Sequence, residues 1–151
     1  EAGLRLHGTD MDAKTTPMEA GLEWTVALNK ADFIGKDVLV GQKRDGVARK
    51  LVGFELAQGP VARFGFELLG DVAEDGTGGR RVGTVTTGTF SPILGKPIGM
   101  GFVEPAYTAV GTKLGLIVRN QRHTATVVRL PFWRQEAKPA ALRQERSASA
   151  A

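Results

Sequence analysis

Two runs decide the fold: RVGTVT at residues 81–86 and IGMGFV at residues 98–103. Both combine β-branched and other apolar residues with glycine, a composition that favours strands over helices. Glycines such as Gly83, Gly99 and Gly101 fit the bends of a small, strongly curved sheet. We therefore predict one strand in each run.

Working outward from these runs, the same strand-like pattern recurs on both sides. Four further strands are predicted at residues 51–56, 64–69, 114–119 and 124–130, with Asn120-Gln121 as a tight hairpin turn. Six short strands separated by Gly and Pro, with no long helix among them, indicate a β-sandwich or a small barrel. Because closing a barrel removes exposed strand edges, we expect a mainly β fold. We predict that this fold is a six-stranded antiparallel barrel of Greek-key or jelly-roll type.

A different pattern precedes the strands. Thr16-Pro17-Met18-Glu19 is a capping-box sequence that predicts a brief helix before Gly21, and a second helix is predicted over residues 36–44. Residues 1–47 are thus interpreted as a short α and loop segment that ends a preceding domain. Residues 48–133 form the barrel domain. Residues 134–151 are rich in Ala, Ser, Gln and charge, and are predicted to be a disordered tail.

Composition excludes several functional classes. The 151 residues include no cysteine, which rules out disulfides and thiolate chemistry and suits a reducing cytoplasm, the expected location. The net charge of +4 is spread out, and the densest basic cluster is the pair Arg80-Arg81. Neither a nucleic-acid-binding face nor a membrane span is indicated.

Catalytic and phosphate-binding motifs are also missing. Gly95-Lys96 is followed by Pro97, which supplies neither the hydroxyl nor the backbone donor of a phosphate loop. His7 and His123 are far apart in sequence and form no helical ligand pair, so no metal site is predicted. Ser91 lacks the glycine-flanked turn of a hydrolase nucleophile. The residues alone therefore predict no catalytic group in this chain.

Several segments together resemble the glycine cleavage system T protein (aminomethyltransferase) family. The matches keep the family's order from residue 1 to about residue 132. They are EAGLRL at 1–6, GTDMD at 8–12, TTPMEAGL at 15–22 with Trp24, DFIGK at 32–36, RKLVG at 49–53, GTVTTGTFSP at 83–92 with LGK at 94–96, GMGFV at 99–103 and LPF at 130–132.

This resemblance implies a three-domain enzyme with tetrahydrofolate as co-substrate and the lipoylated H protein as partner. It also implies that residues 1–47 end the preceding folate-binding domain and that residues 48–133 are the C-terminal barrel domain. Such an enzyme takes the aminomethyl group from the lipoyl arm, releases ammonia and passes the methylene to tetrahydrofolate. The family's catalytic Asp belongs to an N-terminal region before these matches. We therefore expect this chain alone to be inactive. Its role in the enzyme would be limited to lining the folate pocket.

The resemblance carries three folate-binding residues onto this sequence, each with a structural alternative. Arg63 matches a family Arg that contributes to the folate pocket; its alternative is a surface Arg at a strand start. Trp24 would provide an aromatic wall, or else a packing anchor. Glu19 would orient the ligand, or else cap the helix. Residues 86–91 are expected to form a hydroxyl-rich loop facing the same cleft. The family often has a Tyr shortly after its Pro-Phe ending. Here Trp133 follows Phe132 directly and no Tyr appears, so the family's terminal aromatic contact to the substrate is not predicted for this chain.

Two other functions remain open on the sequence. One is a non-catalytic β-barrel module that binds a partner protein. The other is a fragment of a related folate-dependent demethylase, which would use the same pocket with a different one-carbon donor.

Overall fold

The computed structural model describes residues 1–73 and 78–134. Most of the predicted tail lies outside the described residues. Within them, the regular elements are one α-helix, two short 3-10 turns and six strands. These are α1 (Lys36–Asp45), the turns Glu23–Thr25 and Pro105–Tyr107, and β1 (Lys50–Leu56), β2 (Glu67–Gly70), β3 (Arg80–Ser91), β4 (Lys96–Val103), β5 (Lys113–Val118) and β6 (Gln121–Val128).

The six strands close into a barrel in the order β1-β4-β3-β2-β5-β6. Every pairing is antiparallel, and β1 closes the barrel against β6, with Gly53 opposite Val128. Strands β2, β3 and β4 follow one another as neighbours, while β1 lies beside β4, which is a Greek-key arrangement. The predicted six-stranded antiparallel barrel is confirmed.

The predicted loop at residues 86–91 is wrong, because β3 continues through it. Pairing with β4 extends to Ser91 opposite Lys96, after a bulge between Val85 and Thr87. The bulge absorbs one extra residue and lets the strand continue, and Thr87, Thr89 and Phe90 all suit an extended backbone. The chain reverses only at residues 92–95.

Two smaller differences concern turns. The last hairpin turns at Arg119-Asn120, one residue before the predicted position, with φ of 48° and 63°. Positive φ at both central residues gives the twist that two-residue hairpins require. The predicted strand at 64–69 begins only at Glu67, because a turn joins the Phe66 N–H to the Arg63 carbonyl.

The predicted brief helix after Thr16 is also absent, although its capping contacts exist. Thr16 N donates to Glu19 Oε2 at 2.8 Å, and Glu19 N donates to Thr16 Oγ1 at 3.3 Å. The chain makes only turns there and leaves them at Gly21, whose φ is 65°. Helix α1 forms as predicted and ends where Gly46 N donates to the Gln42 carbonyl at 2.9 Å.

Two apolar clusters hold the barrel together. The interior cluster contains side chains from all six strands, among them Phe54, Leu68, Val85, Val103, Leu116 and Val127. A second cluster, Leu51, Met100 and Phe102, is covered by Leu130 and Phe132. Since side chains alternate across a strand, this second cluster lies on the outer face of β1 and β4.

Residues before β1 lie against that outer face. Leu51 N donates to the Glu19 carbonyl at 2.8 Å, and Phe132 N donates to the Glu1 carbonyl at 3.0 Å. Helix α1 itself buries no residue, and Ile34 and Val38 near its start are exposed. The predicted boundary between residues 47 and 48 stays a prediction. No helix among the described residues is long and apolar enough to cross a membrane.

We predict that Gly99→Ala destabilises the barrel. A Cβ at Gly99 would lie 2.5 Å from Cζ of Phe54 and 3.0 Å from the Thr87 carbonyl oxygen. Overpacking of this kind lowers the free energy of unfolding by about 1–3 kcal/mol. Urea unfolding followed by circular dichroism measures it.

Gly41→Ala is the matched control. A Cβ there meets nothing within 4 Å, and Gly41 lies in α1. Because Ala is the better helix former, we expect a gain of up to about 1 kcal/mol. Equal stability losses for the two variants would contradict the packing described for β4.

Candidate functional site

Asp10 is a fully buried carboxylate at the seam between the N-terminal segment and the barrel. Its residue is 1% exposed. Thr86 Oγ1 in β3 donates to Asp10 Oδ1 at 2.5 Å, and the Leu6 N–H donates to Asp10 Oδ2 at 3.0 Å. Among the described residues, no cation forms an ion pair with Asp10. Buried carboxylates depend on such donors. The Leu6 bond closes residues 6–10 into a loop, and the Thr86 bond ties this loop to β3.

Two clefts open on either side of Asp10. The Arg49 cleft, of about 460 Å³, lies between loop 8–12 and the strands β3 and β4; its walls include Asp12, Arg49, Phe64, Thr84, Phe102 and Glu104. The Thr87 cleft, of about 280 Å³, lies between residues 1–6 and the same two strands; its walls include Leu4, Leu6, Thr87, Thr89, Met100 and Phe132. Asp10 lines both clefts.

Arg49 forms one wall of the larger cleft and is held on three sides. Its guanidinium carbon lies 4.4 Å from the centre of the Phe102 ring, a cation–π arrangement. Its Nε donates to Glu19 Oε1 at 2.9 Å, and its Nη2 lies 3.5 Å from Thr15 Oγ1. Burial by itself raises the pKa of the Glu19 carboxyl, but the Thr16 N–H and the Arg49 guanidinium outweigh it, so the pKa is lowered. Glu19 therefore stays ionised and fixes Arg49.

Glu1 fastens the other end of the seam. Ser91 Oγ donates to Glu1 Oε1 at 2.5 Å, and the Ile93 N–H donates to the same oxygen at 3.2 Å. These two hydrogen bonds, the one from Ser91 first, lower the pKa of the Glu1 carboxyl. The hairpin between β3 and β4 is thereby tied to the first residue of the chain.

The three residues expected to bind folate do not share one cleft. Glu19 makes the capping and Arg49 contacts described above, so its structural alternative is present. Trp24 is 80% exposed and lines a separate cleft of about 400 Å³ beside the C-terminal end of α1, here called the Trp24 cleft. Arg63 is exposed and precedes Phe64, a wall of the Arg49 cleft. Their folate-binding roles stay predictions.

Arg63 nevertheless lies close to β3. Ala62, its neighbour, is packed so tightly on Gly88 that a Cβ at Gly88 would lie 3.1 Å from the Ala62 Cβ. Gly88 lines the Thr87 cleft. The Arg63 side chain forms no hydrogen bond or ion pair with any residue in the described ranges, so its five N–H donors face solvent.

Sequence reasoning missed Asp10 and Arg49 as parts of the site. Both lie in segments that carry the family resemblance, yet no sequence pattern indicates that Asp10 is buried, since acidic residues are rarely buried. Its partner, Thr86, is 76 positions away. Within the described residues, no three His, Asp or Glu side chains come together to hold a metal ion.

Comparison with known proteins identifies the family. Residues 49–133 match the family described as the glycine cleavage T-protein C-terminal barrel domain. The chain belongs to the glycine cleavage T-protein family. That segment includes all six strands of the barrel.

Relatives extend the similarity into the N-terminal segment. The aminomethyltransferase of Thermosynechococcus vestitus is 42% identical over 135 residues, covering 89% of this chain and 35% of the relative. That of Nostoc sp. is 42% identical over 139 residues, covering 91% and 35%. The crystal structure of the glycine cleavage system aminomethyltransferase T from Bartonella henselae matches with a TM-score of 0.76 and 33% identity, covering 87% of this chain and 36% of that chain. The chain thus spans about a third of the length of these curated relatives.

We predict that Thr86→Val destabilises this T-protein segment by about 1–3 kcal/mol, because it leaves the buried Asp10 carboxylate with one donor fewer. The double variant with Asp10→Asn should lose less than the sum of the two single losses, since the pair acts as a unit. Urea unfolding measures the free energy of unfolding of the two single variants and of the double variant.

Thr89→Val is the matched control for Thr86→Val, because Thr89 lies on the same strand, β3. Its hydroxyl is exposed and donates only to the Phe90 carbonyl at 3.4 Å, so we expect a change within about 0.5 kcal/mol. Additive losses for Asp10 and Thr86 would show that the two side chains do not interact.

Proposed function

We propose that this chain is the C-terminal part of an aminomethyltransferase of the glycine cleavage system and forms one wall of its tetrahydrofolate site. The observation that carries the proposal is the similarity to proteins named aminomethyltransferase across about nine-tenths of the chain. At 135 and 139 residues, the similarity extends beyond the barrel into the N-terminal segment.

In the proposed reaction, the aminomethyl group carried by the lipoyl arm of the H protein gives its methylene to tetrahydrofolate, and ammonia is released. We assign no catalytic residue to this chain, and we expect the chain alone to be inactive. Its contribution is to bind and orient the folate. The lipoylated H protein is the proposed partner of the whole enzyme.

The Thr87 cleft has the chemistry that a flat heteroaromatic ring needs. Leu4 and Leu6 are mostly exposed and offer an apolar face, and Phe132 adds an aromatic edge. Thr87 and Thr89 supply hydroxyls that can donate or accept at the rim of the ring. Ligand sites commonly combine an apolar lining with a few polar groups in this way.

Arg63 complements this cleft with a charge. Its guanidinium is permanently ionised and presents a fork of donors that suits the carbonyl or carboxylate groups of a folate. The packing of Ala62 on Gly88 places the backbone of this loop against the same strand that lines the cleft. Arg63, which has no hydrogen-bond or ion-pair partner within residues 1–73 and 78–134, is available for such a contact.

The names of the relatives help to choose between the transferase and the two alternative functions. The relatives described above are named aminomethyltransferase, and the matching structure is described as a glycine cleavage system enzyme. This favours the transferase over a folate-dependent demethylase or a binding module without catalytic function.

We predict that Arg63→Ala weakens tetrahydrofolate binding roughly tenfold or more, because it removes charge-assisted hydrogen bonds. Isothermal titration calorimetry under anaerobic conditions measures the affinity, first with this chain and then with the intact parent enzyme. Arg44→Ala is the control: Arg44 is exposed on α1 and paired only with Asp45, at 2.7 Å.

Unchanged affinity in Arg63→Ala, or no tetrahydrofolate binding by the intact parent, would contradict the proposal. Binding by the parent but not by the isolated chain would still agree with it, provided that Arg63→Ala weakens the parent.

A further inference from the structure

Among the described residues, three carboxylates line the Arg49 cleft, and two of them have both oxygens bonded. The oxygens of Asp10 accept the two hydrogen bonds described above. The oxygens of Glu104 both accept from the guanidinium of Arg80, at 2.6 Å each. Neither of these two side chains has an oxygen left without a donor.

The third carboxylate, Asp12, differs from them. Its Oδ1 accepts from Thr15 Oγ1 at 2.8 Å and from the Lys14 N–H at 2.9 Å. These two bonds, the one from Thr15 first, lower the pKa of the Asp12 carboxyl, so the group is ionised at neutral pH. Its Oδ2 accepts no hydrogen bond from the part of the chain that the structure describes. An exposed, ionised carboxylate with a free oxygen suits a charge-assisted hydrogen bond from an ammonium group.

Arg49 is the only cation that lines the cleft among the described residues. Of its five N–H donors, one is bonded to Glu19 and one faces Thr15 at 3.5 Å. The other three have no partner within residues 1–73 and 78–134. The Arg49 side chain is 43% exposed, so a ligand can reach these donors. A guanidinium fork of this kind binds a carboxylate through two hydrogen bonds.

One hydroxyl group separates the free carboxylate oxygen from the free guanidinium donors. Thr15 Oγ1 donates to Asp12 and lies 3.5 Å from Arg49 Nη2. Within the described residues, Asp12 and Arg49 form no direct ion pair with each other. A molecule that carries an ammonium and a carboxylate on the same carbon atom is the right length to contact both side chains. The two groups therefore match the two charges of a free α-amino acid.

An apolar surface lies beside these charged groups. Phe64 lines the cleft and is 70% exposed, and Met11, on loop 8–12, lines it half-buried. The volume of about 460 Å³ falls within the range of roughly 300–1,000 Å³ that is usual for small-molecule sites. The cleft therefore has room for an amino acid with a large side chain, and Phe64 and Met11 offer that side chain an apolar contact.

We propose that the Arg49 cleft binds a free α-amino acid with an apolar side chain. The guanidinium of Arg49 holds the carboxylate of this ligand, Oδ2 of Asp12 accepts from its ammonium, and its side chain packs on Phe64 and Met11. The inference goes beyond the proposed function, because this cleft lies on the other side of Asp10 from the Thr87 cleft, to which the folate ring is assigned.

Calorimetric titration of L-phenylalanine into the full 151-residue chain tests the assignment. We expect saturable binding. N-acetyl-L-phenylalanine lacks the ammonium charge and L-phenylalaninamide lacks the carboxylate, so each should bind roughly tenfold more weakly than L-phenylalanine because it loses one charge-assisted contact. Glycine should bind severalfold more weakly, because it has no apolar side chain to bury.

Asp12→Asn locates the ligand in this cleft. The amide keeps an oxygen for the Thr15 hydroxyl and the Lys14 N–H but removes the negative charge. We expect the affinity for L-phenylalanine to fall roughly tenfold. The affinity for N-acetyl-L-phenylalanine should stay the same, because that ligand has no ammonium to pair with Asp12.

Asp32→Asn is the matched control. It removes the same charge from an exposed residue that does not line the Arg49 cleft, so both affinities should equal those of the unmodified chain. Circular dichroism checks that each variant folds. Arg49 is left unchanged, because its contacts with Glu19 and Phe102 hold the seam.

Three results would overturn the assignment: no saturable binding of L-phenylalanine, equal affinity for the N-acetyl and amide derivatives, or equal affinity in Asp12→Asn and the unmodified chain. The comparison of ligands uses the unmodified chain, so it decides the question even if Asp12→Asn does not fold. The probes contain no pterin ring. A negative result here therefore leaves the proposed function unaffected, and a failure of tetrahydrofolate binding leaves the amino-acid site unaffected.

Discussion

The buried carboxylate of Asp10 constrains everything that this chain can bind. A carboxyl group buried inside a protein must be hydrogen-bonded, because an unsatisfied buried polar group costs several kcal/mol. Here the donors come from two directions, the Thr86 hydroxyl in the barrel and the Leu6 N–H in the N-terminal segment. The carboxylate is satisfied only when the segment lies on the barrel. The same contact separates the Arg49 cleft from the Thr87 cleft.

The clefts of this T-protein segment therefore depend on the seam more than on the barrel. Both clefts have one wall from residues before β1 and another from the strands. Glu1 bound to Ser91, and Glu19 bound to Arg49, fasten the seam at two further points. The barrel interior is filled with apolar side chains from all six strands. Its role is to present β3 and β4 rigidly to the segment that covers them.

The sequence predicted the barrel well because its signals are local. Apolar and β-branched runs located all six strands, and Thr16 and Glu19 form the capping contacts that their spacing implied. Local signals failed where neighbours decide the outcome. Residues 86–91 look like a turn, yet pairing with β4 and the bulge after Val85 keep them extended. The Asp10–Thr86 contact joins residues 76 positions apart, which no local pattern reveals.

Amide hydrogen exchange of Leu6 tests the central claim most directly. In the structure, this N–H is held by the buried Asp10 carboxylate, although the Leu6 side chain is exposed. If the seam is fastened as described, the Leu6 amide exchanges as slowly as amides of the barrel strands, and Thr86→Val accelerates it selectively. Exchange of the Leu6 amide as fast as that of an unprotected loop, with the strands still protected, would contradict the account. The segment would then leave the barrel freely, and the clefts would not be preformed.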